Sequence, residues 1–146
     1  MFERILIPTD GSESARIAEE TGIELAREHG AAVHGLFVVE PFPVTDTGTG
    51  HVIETVRGEG KRAVTRVTDR AESEGLEAVS DVRDGTPHEG ILEYVEANDV
   101  DLVVMGTHGK TGLDKYLLGS VSQKVVQLAD VPVLTVPTSS DTAEHT

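Results

Sequence analysis

Short apolar runs alternate along the chain with longer segments in which apolar residues recur every three or four positions. The short runs predict buried strands, and the recurrent spacing predicts amphipathic helices. Most of the predicted strands are apolar on both faces, which indicates an α/β fold with a parallel sheet covered on both sides. The strands lie within 4–9, 33–39, 78–83, 102–105 and 131–136, and the apolar helix positions within 15–26, 53–71, 91–95 and 121–128.

Capping residues mark the ends of two predicted helices. Ser12 is a good N-cap for the first helix, and Gly30 is expected to end that helix. The third helix is predicted to start at Thr86, Pro87 and Glu89. Here the threonine caps the helix, the proline takes the first helical position, and the glutamate stands three residues after the cap.

In parallel sheets of this kind, a ligand binds beyond the carboxyl ends of the strands, where the strand order reverses. If the first and fourth strands flank that point, the turn of Pro8, Thr9 and Asp10 meets Gly106 there. Val38, at the end of the second strand, is expected close by. The third strand mixes polar and apolar residues, which fits the edge of a sheet.

Composition narrows the class of protein. The 146 residues fit one domain, and the scarcity of aromatic residues requires an aliphatic core. No run approaches the roughly 20 apolar residues of a membrane span, and the first residues lack the features of a signal peptide. Cysteine is absent, which excludes disulfides and thiolate chemistry. We therefore expect a cytoplasmic protein that does not associate with membranes.

The chain is strongly acidic, with 26 acidic and 12 basic residues and a net charge of −14. Such a surface repels nucleic acid, which excludes it as a partner. The acidic residues are spread along the chain, as expected if their charge serves to keep the protein soluble. This pattern also suits a halophile, because high salt screens the repulsion within the surface.

A glycine-rich loop lies between the fourth strand and the fourth helix. Gly106, Gly109 and Gly119 allow the backbone to approach a ligand closely. The helix start that follows offers unpaired N–H groups and the positive end of a dipole, which favour phosphate. Ser120 and Ser122 add hydroxyl groups there. The loop is therefore interpreted as a phosphate-binding segment of a nucleotide-binding protein.

Two common nucleotide motifs do not fit. The P-loop requires a glycine where Val104 stands, and it requires Lys110 and Thr111 to open a helix, whereas Gly112 follows them at once. The dinucleotide fingerprint should follow the first strand, where only Gly11 is present.

The spacing of the loop matches a third pattern. Gly106, Gly109, Gly119 and Ser120 form the G-x2-G-x9-G-[S/T] pattern of ATP-binding universal stress proteins, and the chain resembles that family over nearly its whole length. The segments that look like the family's first strand and turn, fourth strand and loop, and closing strand are 5–12, 103–109 and 131–134.

The resemblance implies an architecture. This is a Rossmann-like, doubly wound sheet of five parallel strands in the order 3-2-1-4-5, with helices on both faces. The domain would span 1–138, and the polar segment 139–146 would be a disordered tail. The resemblance also implies a homodimer that pairs through the last strand, Val133 to Val136. An apolar edge strand needs a cover, and a second copy is the simplest one.

The resemblance further implies a nucleotide site. The turn ending at Asp10 would meet the adenosine end, the backbone of Val38 would contact adenine, and Gly106 would lie on the ribose side. A divalent cation, Mg or Mn, is expected between phosphate oxygens without side-chain ligands. The expected ATP-binding residues are Pro8, Thr9, Asp10, Val38, Met105, Gly106, His108, Gly109, Gly119, Ser120, Val121 and Ser122.

Simpler interpretations stand beside these. Asp10 can organise the turn into the first helix, and Ser120 can serve only as a helix cap. The expected function is that of a regulatory, ATP-binding stress-response homodimer without catalytic residues. One alternative is a slow ATPase or phosphotransferase that uses His108 and Lys110, although nothing in the sequence orients them. Another is a dimeric scaffold with a vestigial nucleotide pocket.

Overall fold

A computed structural model describes the protein at residues 1–41, 49–108 and 118–137. Within these ranges, strands and helices alternate as the apolar pattern predicts. The strands are β1 (Arg4–Pro8), β2 (Ala32–Val39), β3 (Ala78–Asp84), β4 (Leu102–Gly106) and β5 (Val133–Val136). The helices are α1 (Glu13–His29), α2 (Thr49–Ser73), α3 (Pro87–Ala97) and α4 (Ser120–Leu128).

The five strands form one parallel sheet in the order β3-β2-β1-β4-β5. This confirms the α/β class and the strand order that the resemblance implies. Ile5 of β1 pairs with Val33 of β2 on one side and with Leu102 of β4 on the other. The later strands therefore lie on both sides of β1, with β2 and β3 on one side and β4 and β5 on the other. The strand order reverses between β1 and β4. The half-polar strand β3 lies at an edge, as predicted.

The core lies on both faces of the sheet and is mainly aliphatic. Ile5 and Ile7 point to the face covered by α1 and α2, whereas Leu6 points to the face covered by α3 and α4. All three side chains are fully buried. Each such burial contributes about 1.5–3 kcal/mol relative to an exposed side chain. The two packed faces hold the carboxyl ends of β1, β2 and β4 in a fixed arrangement.

The caps predicted for α1 and α3 are confirmed in position, but not all of them make the expected hydrogen bond. Ser12 accepts a hydrogen bond from the Ala15 N–H at 3.2 Å, and Gly30 ends α1 in the left-handed conformation with φ of 66°. Thr86 is the N-cap of α3, but its side chain makes no capping hydrogen bond, so that part of the prediction is wrong. Pro87 at the start of α3 supplies a backbone already set for a helix.

Two predicted ends are shifted. The helix α2 begins at Thr49, before its first predicted apolar position, Ile53; the side chain of Val52, which lies between them, is 46% exposed. The strand β5 begins at Val133 rather than at 131, since Pro132 has no N–H group to donate. The predicted tail, 139–146, lies outside the described residues. Of the helices in the described ranges, none has the length and apolarity needed to cross a membrane.

A buried histidine joins the sheet to α3. Nδ1 of His34, on β2, lies 2.6 Å from the hydroxyl oxygen of Tyr94, and both side chains are buried. Burial lowers the pKa of His34, and the positive charge of Arg4 lowers it further. Burial raises the pKa of Tyr94, Asp81 raises it as well, and Arg83, whose guanidinium lies over the ring, acts in the opposite direction.

The lowered pKa of His34 predicts a pH dependence of folding. The unfolded chain binds a proton near pH 6.5, whereas the native state resists it, so stability is complete above that pH and falls as the pH drops below it. Relative to His34→Gln, the wild type should lose unfolding free energy between pH 7.5 and 5.5. Urea unfolding at the two pH values measures this, and parallel losses in both proteins would contradict it.

Candidate functional site

A cavity of about 580 Å³ opens where β1, β2 and β4 end. Small-molecule sites commonly have volumes of about 300–1,000 Å³, and in doubly wound sheets they lie at this edge. The cavity brings together all the predicted site residues that the structure describes: Pro8, Thr9, Asp10, Val38, Met105, Gly106, His108, Gly119, Ser120, Val121 and Ser122. Gly109, the remaining predicted residue, lies outside the described ranges.

The turn from β1 to α1 forms one wall of the cavity. The Thr9 N–H donates to the Leu36 carbonyl at 2.9 Å, which extends the pairing of β1 with β2. Oδ1 of Asp10 accepts a hydrogen bond from the Ser12 N–H at 2.9 Å, and Gly11 between them has φ of 80°. Asp10 therefore organises the turn, as the simpler interpretation holds, and it also lines the cavity.

An ion pair with a buried carboxylate and a partly exposed arginine is hydrogen-bonded to this turn. The Thr9 hydroxyl donates to Oε2 of Glu19 at 2.8 Å and accepts a hydrogen bond from the Gly11 N–H at 3.1 Å. Glu19 is 1% exposed, and Arg66 of α2 donates to both of its carboxylate oxygens at 3.0–3.2 Å. Neither residue is predicted from the sequence. The signal for Glu19 is a charged residue on the apolar face of α1, next to Ala18.

The end of β4 packs tightly against α1. A Cβ atom added at Gly106 would overlap Oγ of Ser14 and would lie 2.8 Å from the Ser14 carbonyl oxygen. The next turn of the chain is tied to the same residue, since the His108 N–H donates to Oγ of Ser14 at 3.3 Å. The first glycine of the motif is therefore required by helix packing.

The start of α4 faces the cavity. Gly119 is the N-cap, and its N–H donates to the Thr107 carbonyl at 2.6 Å. The prediction of Ser120 as the cap is wrong by one residue: Ser120 is the first helical residue, and its side chain is exposed. The Ser122 hydroxyl donates to the Gly106 carbonyl at 2.8 Å, so it ties α4 to β4.

Backbone donors are concentrated at this helix start. The first intrahelical hydrogen bond of α4 runs from the Gln123 N–H to the Gly119 carbonyl at 2.9 Å. The N–H groups of the three residues before Gln123 therefore have no helical acceptor. These are the groups that bind phosphate at helix N-termini, where the helix dipole adds positive potential.

The opposite part of the cavity is mainly apolar and was not predicted in full. It combines aliphatic and aromatic side chains with two carboxylates. The lining residues beyond the predicted set come from α1, β2 and the residue that follows it, α2 and α3: Ala15, Leu36, Phe37, Glu40, Val56, Glu59, Pro87 and Ile91. Val56 and Glu59 of α2 are among these residues, so the amphipathic helix predicted over 53–71 also lines the cavity. Within the described ranges, no three His, Cys, Asp or Glu side chains are placed to hold a metal ion.

The chain is similar to known proteins over most of its length. A model of the universal stress protein family matches residues 1–137. Universal stress protein MJ0531 of Methanocaldococcus jannaschii is 38% identical over 140 residues, which cover 93% of this chain and 82% of that protein. The solved structure of protein MJ0577 from the same organism has a TM-score of 0.82 at 31% identity, covering 93% of this chain and 96% of that one.

Two solved structures with bound nucleotides share the fold. A universal stress protein in complex with cAMP has a TM-score of 0.74 at 22% identity, covering 94% of this chain and 98% of that one. A universal stress protein from Archaeoglobus fulgidus in complex with dAMP has a TM-score of 0.66 at 19% identity, covering 92% and 97%. At these identities the likeness establishes the fold alone.

Proposed function

This chain belongs to the universal stress protein family, and we propose that it is a regulatory homodimer that binds ATP in the cavity at the ends of β1, β2 and β4. The observation that carries the proposal is the start of α4, where the N–H groups of the first turn have no acceptor within the helix and lie at that cavity beside Gly106. Two structural neighbours bind adenine nucleotides, cAMP and dAMP, which supports the ligand class. The preference for ATP rests on the glycine spacing of the loop.

The two ends of the cavity favour one orientation of the nucleotide. The apolar side chains of Val38, Val56 and Ile91 offer a surface on which a base can lie. The phosphates would lie at the opposite end, against the first turn of α4. Glu40, which also lines the cavity, reinforces this orientation, because its negative charge repels phosphate.

A divalent cation would assist binding. The protein carries a net charge of −14, so it repels an anionic ligand at long range. Mg or Mn between the phosphate oxygens would reduce that repulsion, and Mg²⁺ commonly keeps several waters while it binds substrate phosphates. The cation would therefore enter with the nucleotide rather than occupy a protein site of its own.

We propose binding without catalysis. Hydrolysis requires a group that positions water and a charge that stabilises the transition state. His108 lines the cavity, and its Nδ1 lies 3.2 Å from the hydroxyl of the neighbouring Thr107. This contact by itself assigns no catalytic role to His108. A nucleotide-dependent change of state is accordingly the function that this site supports best.

The two edges of the sheet differ in a way that favours pairing through β5. The edge strand β5 contains no charged residue, and its Leu134 is 39% exposed. The neighbouring helix α4 adds Leu128, which is 57% exposed. The other edge strand, β3, carries Asp81 and Arg83, and charges of this kind discourage edge pairing. A second copy would cover the apolar edge.

Leu134→Lys is expected to convert the dimer to a monomer, since it places a charge on the pairing edge. Light scattering after size-exclusion chromatography measures the mass. Val79→Lys is the matched control, because Val79 is 48% exposed on the opposite edge strand, and it should leave the dimer intact. A dimer that persists in Leu134→Lys would contradict pairing through β5.

The proposed ligand can be identified without prior assumption. The protein is purified without added nucleotide and denatured, and the released small molecules are identified by mass spectrometry. We expect an adenine nucleotide in a substantial fraction of the molecules, and far less of it from Gly119→Val. A different class of released molecule would overturn the adenine assignment. If nothing is released, and the protein also binds no ATP in Mg²⁺ and high salt, the pocket is vestigial.

A further inference from the structure

We propose that Glu19 and Arg66, neither of which lines the cavity, are positioning residues of the nucleotide site. They act through the Thr9 hydroxyl on the turn that contains Asp10. This inference rests on the proposed function, because it assigns these residues to the same site. It goes beyond that function in placing a determinant of affinity behind the cavity, between α1 and α2.

The hydrogen bonds form a continuous chain from α2 to the turn. Arg66 donates to Glu19, Glu19 accepts from the Thr9 hydroxyl, and that hydroxyl accepts from the Gly11 N–H. The direction of the Thr9 hydroxyl is therefore set by the carboxylate. Asp10 lies between Thr9 and Gly11, which these hydrogen bonds hold in place. The backbone of Asp10 is therefore fixed on both sides.

The burial of Glu19 distinguishes this pair from the surface ion pairs of the protein. A carboxylate that is 1% exposed loses its hydration, and Arg66 compensates with hydrogen bonds to both oxygens. An apolar residue at such a position often stabilises a fold equally well. An apolar residue could not, however, accept the hydrogen bond from the Thr9 hydroxyl. The role of the ion pair is therefore to hold the turn in place.

The same helix contributes to the opposite wall of the cavity. Arg66 stands on α2, and so do the cavity-lining residues Val56 and Glu59. The ion pair thus joins α2, which lines the part of the cavity proposed for the base, to the turn that contains Asp10. A shift of α2 would reach Asp10 through Glu19 and Thr9.

The chain supplies a matched control for this pair. Glu20, the next residue of α1, forms an ion pair with Arg70 of α2 at 3.6 Å, and its side chain is 64% exposed. Both pairs join the same two helices, but the Glu20 pair is not hydrogen-bonded to the turn. Loss of the Glu20 pair therefore reports the general effect of weakening the contact between α1 and α2.

Glu19→Gln tests the inference, because glutamine offers one acceptor oxygen where the structure uses two. ATP affinity is measured by calorimetry, well below the melting temperature of each variant. We expect Glu19→Gln to bind about tenfold more weakly, in line with the loss of one hydrogen bond to a charged group, and Glu20→Gln to bind as the wild type does. In a Thr9→Val background, Glu19→Gln should add no further loss.

The chemical shifts of backbone amides provide a second readout, which does not depend on nucleotide binding. The Gly11 and Ser12 amide signals should move in Glu19→Gln and should stay in place in Glu20→Gln. Equal ATP affinity in Glu19→Gln and the wild type, with these signals unmoved, would overturn the inference, and so would a loss of the same size in Glu20→Gln. If the wild type binds no adenine nucleotide, the proposed function fails, and the amide signals alone then decide whether Glu19 holds the turn.

Discussion

Gly119→Val should lower the affinity for ATP at least about a hundredfold, a loss of about 2.7 kcal/mol, while the protein stays folded. Gly119 lines the cavity at the first turn of α4, where the phosphates are expected to lie. Its φ of −64° and ψ of 162° suit any residue, so valine introduces no backbone strain. Its branched side chain would instead occupy space needed by the ligand.

Calorimetry with ATP and Mg²⁺ measures this loss, and circular dichroism reports whether the variant is folded. Gly119→Ala provides a graded comparison, because its smaller side chain should produce an intermediate loss. Wild-type affinity in a folded Gly119→Val protein would show that the phosphates do not lie at the start of α4.

Gly106→Ala should destabilise the protein by about 2–3 kcal/mol, the usual cost of overpacking a core. The added Cβ would overlap Oγ of Ser14 and would lie 2.8 Å from its carbonyl oxygen and 2.9 Å from its carbonyl carbon. Because two of these atoms belong to the backbone of α1, rotation of the Ser14 side chain cannot relieve the clash. The helix or the strand must move.

Gly58→Ala is the control for replacing a glycine. Among the described residues, a Cβ atom there meets only Nη1 of Arg62, at an ordinary 3.5 Å, and the position lies within α2. Alanine should stabilise this helix by up to about 1 kcal/mol. Urea unfolding of both variants measures the difference. If Gly106→Ala is as stable as the wild type, the contact with Ser14 is not as tight as the structure shows.

The fold could be predicted because its signals are local and redundant. The apolar runs around Ile5, Val33 and Val103 define strands, and Ser12 and Gly30 mark both ends of α1. Strand order required the family resemblance, since spacing alone does not determine which strands become neighbours. The errors at helix ends arise where a residue takes the predicted position without making the predicted hydrogen bond. Thr86, for example, is the N-cap of α3, but its side chain makes no capping hydrogen bond.

The candidate site could be predicted only in part, for a physical reason. Residues in the glycine spacing and at strand ends are marked by the chain itself, and the structure gathers the described ones around one cavity. Glu19 and Arg66 are separated along the chain and meet only after α1 and α2 pack. Likewise, the contact between Gly106 and Ser14 depends on how a helix crosses a strand. No local pattern contains that information.

An amide chemical-shift titration of the wild-type protein with ATP and Mg²⁺ locates the bound nucleotide without any substitution. We expect the largest shifts at Gly106, Gly119 and Ser120, with smaller shifts at Val38, where the base is proposed to lie. Shifts confined to the exposed face of α2 around Arg62, or no shifts at saturating ATP, would contradict this position of the nucleotide.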